Sequence, residues 1–504
     1  MNLSSKLSSH LENGKVGFPT TLASSAGLIM ASSAGLIMAS PVILTVISGF
    51  GIGGDTFALA VLLSFIMMQA QLTTFSEAAA ILPTSGSVYD YISCGMGRFW
   101  AITGALSAYL IVHVFAGTAE TILSGIMALV NFEHLNTVLE TSNSSWMVGV
   151  GLVVTFGILN AFGIEAFGKV EVVLTFAMWS TLVIFSISGL LLPFHVQTDG
   201  WFGQPLNTDP TLVLSFIGMA MFMFVGCELV TPMAPEIKNS AKVIPRAMTT
   251  GLFCVALCMV LFGAALANQV ENVVVDPQTG TRLLETPMAI PAFAELVMGE
   301  FGKYWIGVAL LLAGGATINT LMAAVPRILY GMALDGALPR IFAYLHPRFK
   351  TPVFGILVAV MIPCLHAFAI QGDLDRIIPL VLAAVCSWGV AYLLVTISVV
   401  LLRIRRPDLH RAYRSPFFPL PQIISSVGII LAIVYITPPG MSKSDVYIPF
   451  AIMLGLTAGY ALIWTVFVQK VNPFKPLSVE SVLSNSFRDE EIEGGQLEPL
   501  RNLA

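Results

Sequence analysis

Between Thr56 and Leu82 the chain carries one charged side chain, Glu77, and apolar stretches of similar length recur from end to end. The hydrocarbon core of a bilayer takes about 20 predominantly apolar residues as a helix. No water is available there, so the backbone N–H and C=O groups of such a stretch must be satisfied internally, as a helix does. We count about 12 stretches of this kind. They run approximately from Thr20 to Gly51, Thr56 to Leu82, Phe99 to Val130, Trp146 to Phe162, Val170 to Pro193, Thr211 to Ala234, Ala247 to Ala267, Trp305 to Ala333, Pro352 to Ile370, Ile377 to Leu402, Phe417 to Thr437 and Val446 to Val468. With 56% apolar residues, 11% charged residues and a mean hydropathy of +0.84, the chain has too much apolar surface for a soluble globule. The expected fold class is an all-α integral membrane protein.

Short cytoplasmic loops carry an excess of Lys and Arg. With the N-terminus inside, each of the 24 Lys and Arg except Arg282, Lys303, Arg376 and Lys443 falls on the cytoplasmic side. Both termini are therefore expected in the cytoplasm of a multi-pass protein of the cell membrane, plasma or inner. The polar segment before Thr20 has no short apolar core leading to a small-residue cleavage site, so the first span is expected to direct insertion itself. After Val468 the chain reads as a loose tail containing Pro, Ser and Glu. Cys94, Cys227, Cys254, Cys258, Cys364 and Cys386 lie in or beside apolar spans without a CxxC spacing, and read as small packing residues, not as disulfide partners or zinc ligands. No cofactor or metal is called for.

Ala23 to Met30 reads ASSAGLIM, and Ala31 to Met38 repeats it without change. Eight residues add about 12 Å and about 80° of rotation to a helix, so the first span is expected to be long. The second copy runs directly into Ala39, Ser40 and Pro41 and is favoured as the functional one.

The sixth span is interrupted around Val225 to Cys227 and carries Glu228. A carboxylate at membrane depth costs about 2.5 to 3.5 kcal/mol on insertion scales, which makes it a functional-site hypothesis by default. Five spans earlier the chain is interrupted around Gly35 to Pro41. Paired interruptions at corresponding positions of two halves point to inverted repeats with a site between them.

Four loop segments resemble those of amino acid, polyamine and organocation (APC) superfamily permeases. Glu236 to Ala247, EIKNSAKVIPRA, is similar to the stretch after that family's sixth helix. Pro326 to Pro339 with His346 to Pro352 resembles the loop after helix eight, Arg406 to Pro416 the loop after helix ten, and Glu77 to Tyr91 the loop after helix two. The resemblance implies a LeuT-like fold of two inverted five-helix repeats plus two extra helices. On that frame, 1–19 is a cytoplasmic N-tail, 20–193 the first repeat, 194–402 the second, 403–468 the added helices and 469–504 a cytoplasmic C-tail.

The resemblance also places substrate contacts at Ile37, Met38, Ala39 and Ser40 in the first break and at Phe222, Gly226 and Cys227 in the second. Free N–H groups of a half-helix suit a substrate carboxylate. Here Ala39, Ser40 and Pro41 stand where relatives usually have Gly-Ser-Gly, and proline has no N–H to donate. Phe222 matches an aromatic that covers substrate, a phenyl face being able to hold an ammonium group; core packing explains it equally well. Gly226 permits close backbone approach. Glu228 matches an acidic position with a proton-linked or gating role, against structural pairing with a backbone amide.

Many relatives place a Lys in helix five, where this chain has Met178; Glu171 and Lys169 lie nearer the cytoplasmic end. Thr317, Asn319 and Thr320 offer oxygen ligands to a sodium ion, although Ser and Thr in membrane helices more often satisfy backbone. His113 and Glu120 sit seven apart on one helical face, lining the cavity or bonding a neighbouring helix.

The function implied is secondary active transport of amino acids or related organic amines by alternating access, with H+ or Na+ as the coupling ion and the lipid bilayer as surroundings. A polyamine- or amine-selective transporter and a transporter-like sensor or partner subunit are the alternatives. Seven scattered His and no HExxH spacing argue against a membrane enzyme.

Overall fold

The computed structural model describes residues 40–132, 137, 144, 146–193, 200–237, 239–270, 273–277, 280–286, 288–371, 373, 376–438 and 440–484. Ile37, Met38, Ala39 and both ASSAGLIM copies lie outside the described residues, as do the side chains of Ser40 and Pro41, which open the first described helix.

That helix, α1 (Ser40–Ile81), is a hairpin. Gly54 has φ 49 and ψ −126 inside it, a left-handed conformation that only glycine adopts without strain. The rings of Phe50 and Phe57 stand 5.0 Å apart, edge to face, whereas seven residues of straight helix would separate them by about 10 Å. The first two expected spans therefore meet at a one-residue turn. Beyond the basic-end helix α2 (Val88–Met96), α3 (Arg98–Ala105) continues through two π-helical stretches, Leu106–Ile111 and His113–Gly117, into α4 (Thr118–Leu129). Then follow α5 (Trp146–Ala161), α6 (Ile164–Leu191) and α7 (Pro210–Phe222), the last capped by Asp209, which accepts from Thr211 N–H with Pro210 in the first turn.

Past the break, a 3-10 stretch Cys227–Glu236 leads to α8 (Ser240–Gln269) and a small antiparallel hairpin of β1 (Val274–Asp276) and β2 (Thr281–Arg282). The helix α9 (Ala289–Leu334) folds at Gly299 (φ 64), so the eighth span is preceded by a short arm that the apolar pattern alone does not separate. The remaining helices are α10 (Val353–Ile370), α11 (Ile377–Arg405), α12 (Leu420–Val434) and α13 (Lys443–Ile463).

Among the described residues, nine helices are long and apolar enough to cross a membrane, and Trp146–Ala161 and Leu420–Val434 are shorter apolar helices. One of the nine is the α1 hairpin, so helices occupy the second to twelfth expected spans and, from Ser40 on, the end of the first. The protein is an all-helical multi-pass membrane protein, its outward faces apolar at Leu62, Val173, Phe176, Leu357 and Leu456.

Helix α9 packs against α4, α5, α6 and α10, while α11 packs against α1, α2, α12 and α13. At the end of the bundle rich in Lys and Arg, ion pairs join helix ends. Glu77, fully buried, takes two hydrogen bonds from Arg403 (2.7 and 2.5 Å), one from Arg411 (3.1 Å) and one from the Ser415 N–H (2.9 Å). Arg98 forks onto Asp335 at 2.8 and 2.7 Å, and Tyr89 donates to the same carboxylate.

The expectation of a loose tail after Val468 is corrected over its first part. Phe99 N–H donates to Pro473 O (2.8 Å), Leu477 N–H donates to Ser93 O (3.0 Å), and Val479, Val482 and Leu483 are buried. Backbone pairing and three apolar side chains dock a segment whose composition reads as polar.

Candidate functional site

Helix α7 stops because its backbone changes hand. Met223 and Phe224 close the last turn through 3-10-type bonds to Ala220 O and Met221 O, and Gly226 then sits at φ 92, ψ −2. A residue with Cβ would be strained there by about 1 kcal/mol or more. The chain resumes as a 3-10 stretch because Pro232 and Pro235 cannot donate to an α-helical ladder.

The break is held by one phenol. Tyr392 on α11 accepts a hydrogen bond from Gly226 N–H (3.1 Å) and donates one to Glu228 Oε2 (2.5 Å). Its ring lies edge-on to Phe75 of α1 at 5.1 Å, and its carbonyl accepts from Gln71 (3.3 Å). The Sγ of Cys227 lies 3.9 Å from the same Glu228 oxygen. Glu228 is fully buried; its Oε1 and Nε1 of Trp388, one helical turn before Tyr392, each lack a partner at close hydrogen-bond distance, and the indole N–H acts on the carboxylate from further off. Phe222, also fully buried, has its ring 6.3 Å from that of Trp388. A carboxylate oxygen, an indole N–H that reaches it loosely and an aromatic face thus converge at the break.

Of the residues singled out in the sequence, Phe222, Gly226, Cys227 and Glu228 come together here. His113 instead directs Nε2 to Ala359 O on α10 (2.6 Å), and Glu120 is buried against Gly314 of α9. The wide π-helical turn between them shifts their phase, so they meet different neighbours. Thr317 bonds back to Ala313 O at 3.4 Å, while Asn319 and Thr320 both turn to Glu171. Trp388 and Tyr392 were not singled out. Their four-residue spacing in an otherwise aliphatic tenth span, with two polar tips needing partners, is the signal that could have found them.

Outside the spans, α2 brings Asp90 beneath this site. Burial pushes its carboxyl up from 3.8 to about 7; the Thr84 hydroxyl, donating at 2.5 Å, opposes the rise and the nearby Asp335 charge adds to it. The adjoining Ser87 bonds Thr231 of the 3-10 stretch through their hydroxyls (2.5 Å), linking α2 to the break.

A family model described as amino acid permease matches residues 16–460. The human (Homo sapiens) cystine/glutamate transporter is 24% identical over 355 residues, covering 70% of this chain and 67% of the relative. The branched-chain amino acid permease BcaP of Bacillus subtilis (strain 168) is 23% identical over 380 residues, 69% of this chain and 73% of the relative. The methylthioribose transporter of the same organism is 25% identical over 407 residues, 75% and 81%. With that family model spanning most of its length, the chain belongs to the amino acid permease family.

Proposed function

We propose that the protein moves amino acids or related organic amines across a membrane as a secondary transporter, alternating access around the break between α7 and the Cys227–Glu236 stretch. The observation that carries this reading is the buried pair of Glu228 Oε1 and Trp388 Nε1, which act on each other only at longer range than a full hydrogen bond. A buried donor and acceptor held short of a full hydrogen bond forgo part of the roughly 1 to 3 kcal/mol that good partners supply, and a ligand set between them restores it. An ammonium group suits the carboxylate oxygen and a carboxylate suits the indole N–H, with the Phe222 face beside them. Tyr392 gates the site, since opening α11 away from the break requires releasing both of its hydroxyl bonds.

On this reading Ile37, Met38, Ala39 and Ser40 supply the facing wall, and Gly226 and Cys227 the near one. His113, Glu120, Thr317, Asn319 and Thr320 lie on surrounding helices as cavity or ion-path residues. Residues 20–193 and 194–402 are the two inverted repeats and 403–468 the added helices. The basic end faces the cytoplasm of the cell membrane, together with the 1–19 and 469–504 tails, as the distribution of Lys and Arg favours.

The test is reconstitution into liposomes and uptake of labelled amino acids, their decarboxylated amines and methylthioribose under imposed H+ or Na+ gradients. Thermal stabilisation by the same panel provides a binding readout. Saturable uptake of an amino acid, reduced in Trp388→Phe, is expected. Binding without uptake would place the protein among transporter-like sensors, and neither binding nor uptake would end the proposal.

A further inference from the structure

Glu171 is a buried carboxylate that the α7 break does not use. It lies on α6 with no exposed surface, and both of its oxygens are met from α9: Asn319 Nδ2 donates to Oε2 (2.5 Å) and the Thr320 hydroxyl to Oε1 (3.0 Å). Behind Asn319 stands Asn160 of α5, whose Nδ2 donates to Asn319 Oδ1 (2.7 Å), to Phe156 O (2.9 Å) and to Asn319 O (3.4 Å). These carbonyls require the amide nitrogen of Asn160 to face them. The side-chain oxygen of Asn319 is thereby committed to Asn160, and its NH2 to Glu171.

We propose that Glu171 is a proton-binding site of the transport cycle, loaded and unloaded at the contact between α6 and α9. The proposal rests on the transport reading and adds a residue and a coupling ion to it. A metal cation fits poorly, because it needs oxygen lone pairs and Asn319 presents N–H groups. A proton from water fits on Oε1: the Thr320 hydroxyl turns from donor to acceptor, and its own hydrogen passes to the carbonyl of Ala316, four residues back. Oε2 has no such exchange, since the Asn319 amide cannot reverse while Asn160 holds its oxygen.

Charged neighbours do not fix the state of Glu171. Among the described residues it makes no ion pair, and only Asn319 and Thr320 act on it besides burial. The α5 segment carries no charged residue; on α8, Lys242 and Arg246 are exposed at its start; on α9, Arg327 donates to Ala323 O. Two donors favour the charged form and burial favours the neutral one, so a small shift of α9 against α6 tips the balance.

The test uses pH-difference infrared spectroscopy of the full-length protein in lipid, together with uptake of the best-transported amino acid under an inward pH gradient. With Asp90→Asn as the background, so that the Asp90 carboxyl, which also takes up a proton in this range, gives no signal, acidification is expected to raise a carboxylic C=O band that is lost on adding Glu171→Gln and kept on adding Glu228→Gln, and Glu171→Gln is expected to lose stimulation by the gradient. Gln can accept from Asn319 and donate to Thr320, so it preserves the fold. In Thr320→Val the band is expected at a different pH, which reports the hydroxyl partner independently. A band that persists in Glu171→Gln overturns the proposal, as does unchanged gradient stimulation in that variant. If no amino acid or amine is taken up by wild type, the transport reading fails and the band alone decides the proton site.

Discussion

Asp90→Asn provides a measurement whose size follows from the geometry beneath the site. In the fold, the Asp90 carboxyl is buried with one hydroxyl donor, Thr84, and titrates near 7 instead of 3.8. The native state therefore holds the proton more tightly than the unfolded chain. The sign follows: the contribution to stability is complete below about pH 4 and is lost as the pH rises through about 7. At about 1.4 kcal/mol per pH unit, the gap amounts to ~4 kcal/mol when the carboxylate is ionised. Asn mimics the protonated form and cannot ionise. Apparent melting temperatures of the two proteins, followed by tryptophan fluorescence in detergent, should nearly coincide in acid and separate with rising pH. From about pH 5 to about pH 8 the advantage of Asn should grow by roughly 2 to 3 kcal/mol, then level off. A difference that is constant across this range would refute the burial argument, and one that grows toward acid would reverse it.

Tyr392→Phe leaves Gly226 N–H and Glu228 Oε2 without their shared hydroxyl, a loss of about 2 to 4 kcal/mol, and should lower both the melting temperature and the uptake rate. Parity with wild type in both assays would remove the phenol from the gate. Phe222→Ala should weaken ligand-induced stabilisation more than Phe222→Trp; equal losses that track protein yield would return the ring to packing. Glu77→Gln strands Arg403 and Arg411 around a neutral group and should cost about 3 to 5 kcal/mol, visible as reduced yield and melting temperature; a wild-type melting curve would contradict the buried pairing.

The spans were legible because lipid demands long apolar helices, and the sixth-span break because glycine and a carboxylate interrupt an apolar run. Gly54 was not, since a single glycine in a membrane helix looks the same whether it packs or turns. Tyr392 pairs with Glu228 across 164 positions, a distance that no local pattern encodes. Asn319 and Thr320 were chosen for their oxygen atoms, correctly as polar groups at depth, but their partner Glu171 sits on another helix 148 and 149 positions away. The tail escaped because part of its docking uses backbone atoms, and its few buried apolar side chains, Val479, Val482 and Leu483, stand in an otherwise polar run.

That docked tail also has a place in the order of biosynthesis. Residues 473–484 follow every described membrane helix in the chain, so Ser93 O and the N–H of Phe99 wait uncovered until the helices before that segment have been made. Phe474 then settles against Phe99 at 5.3 Å and Arg406 joins Glu480 at 2.7 Å, contacts to surfaces supplied by α2, α3 and the chain just after α11. A helix inserted in the wrong orientation would disperse those surfaces and leave the segment nowhere to land. Closure of this segment over the basic end thus requires α2, α3 and the end of α11 to lie side by side.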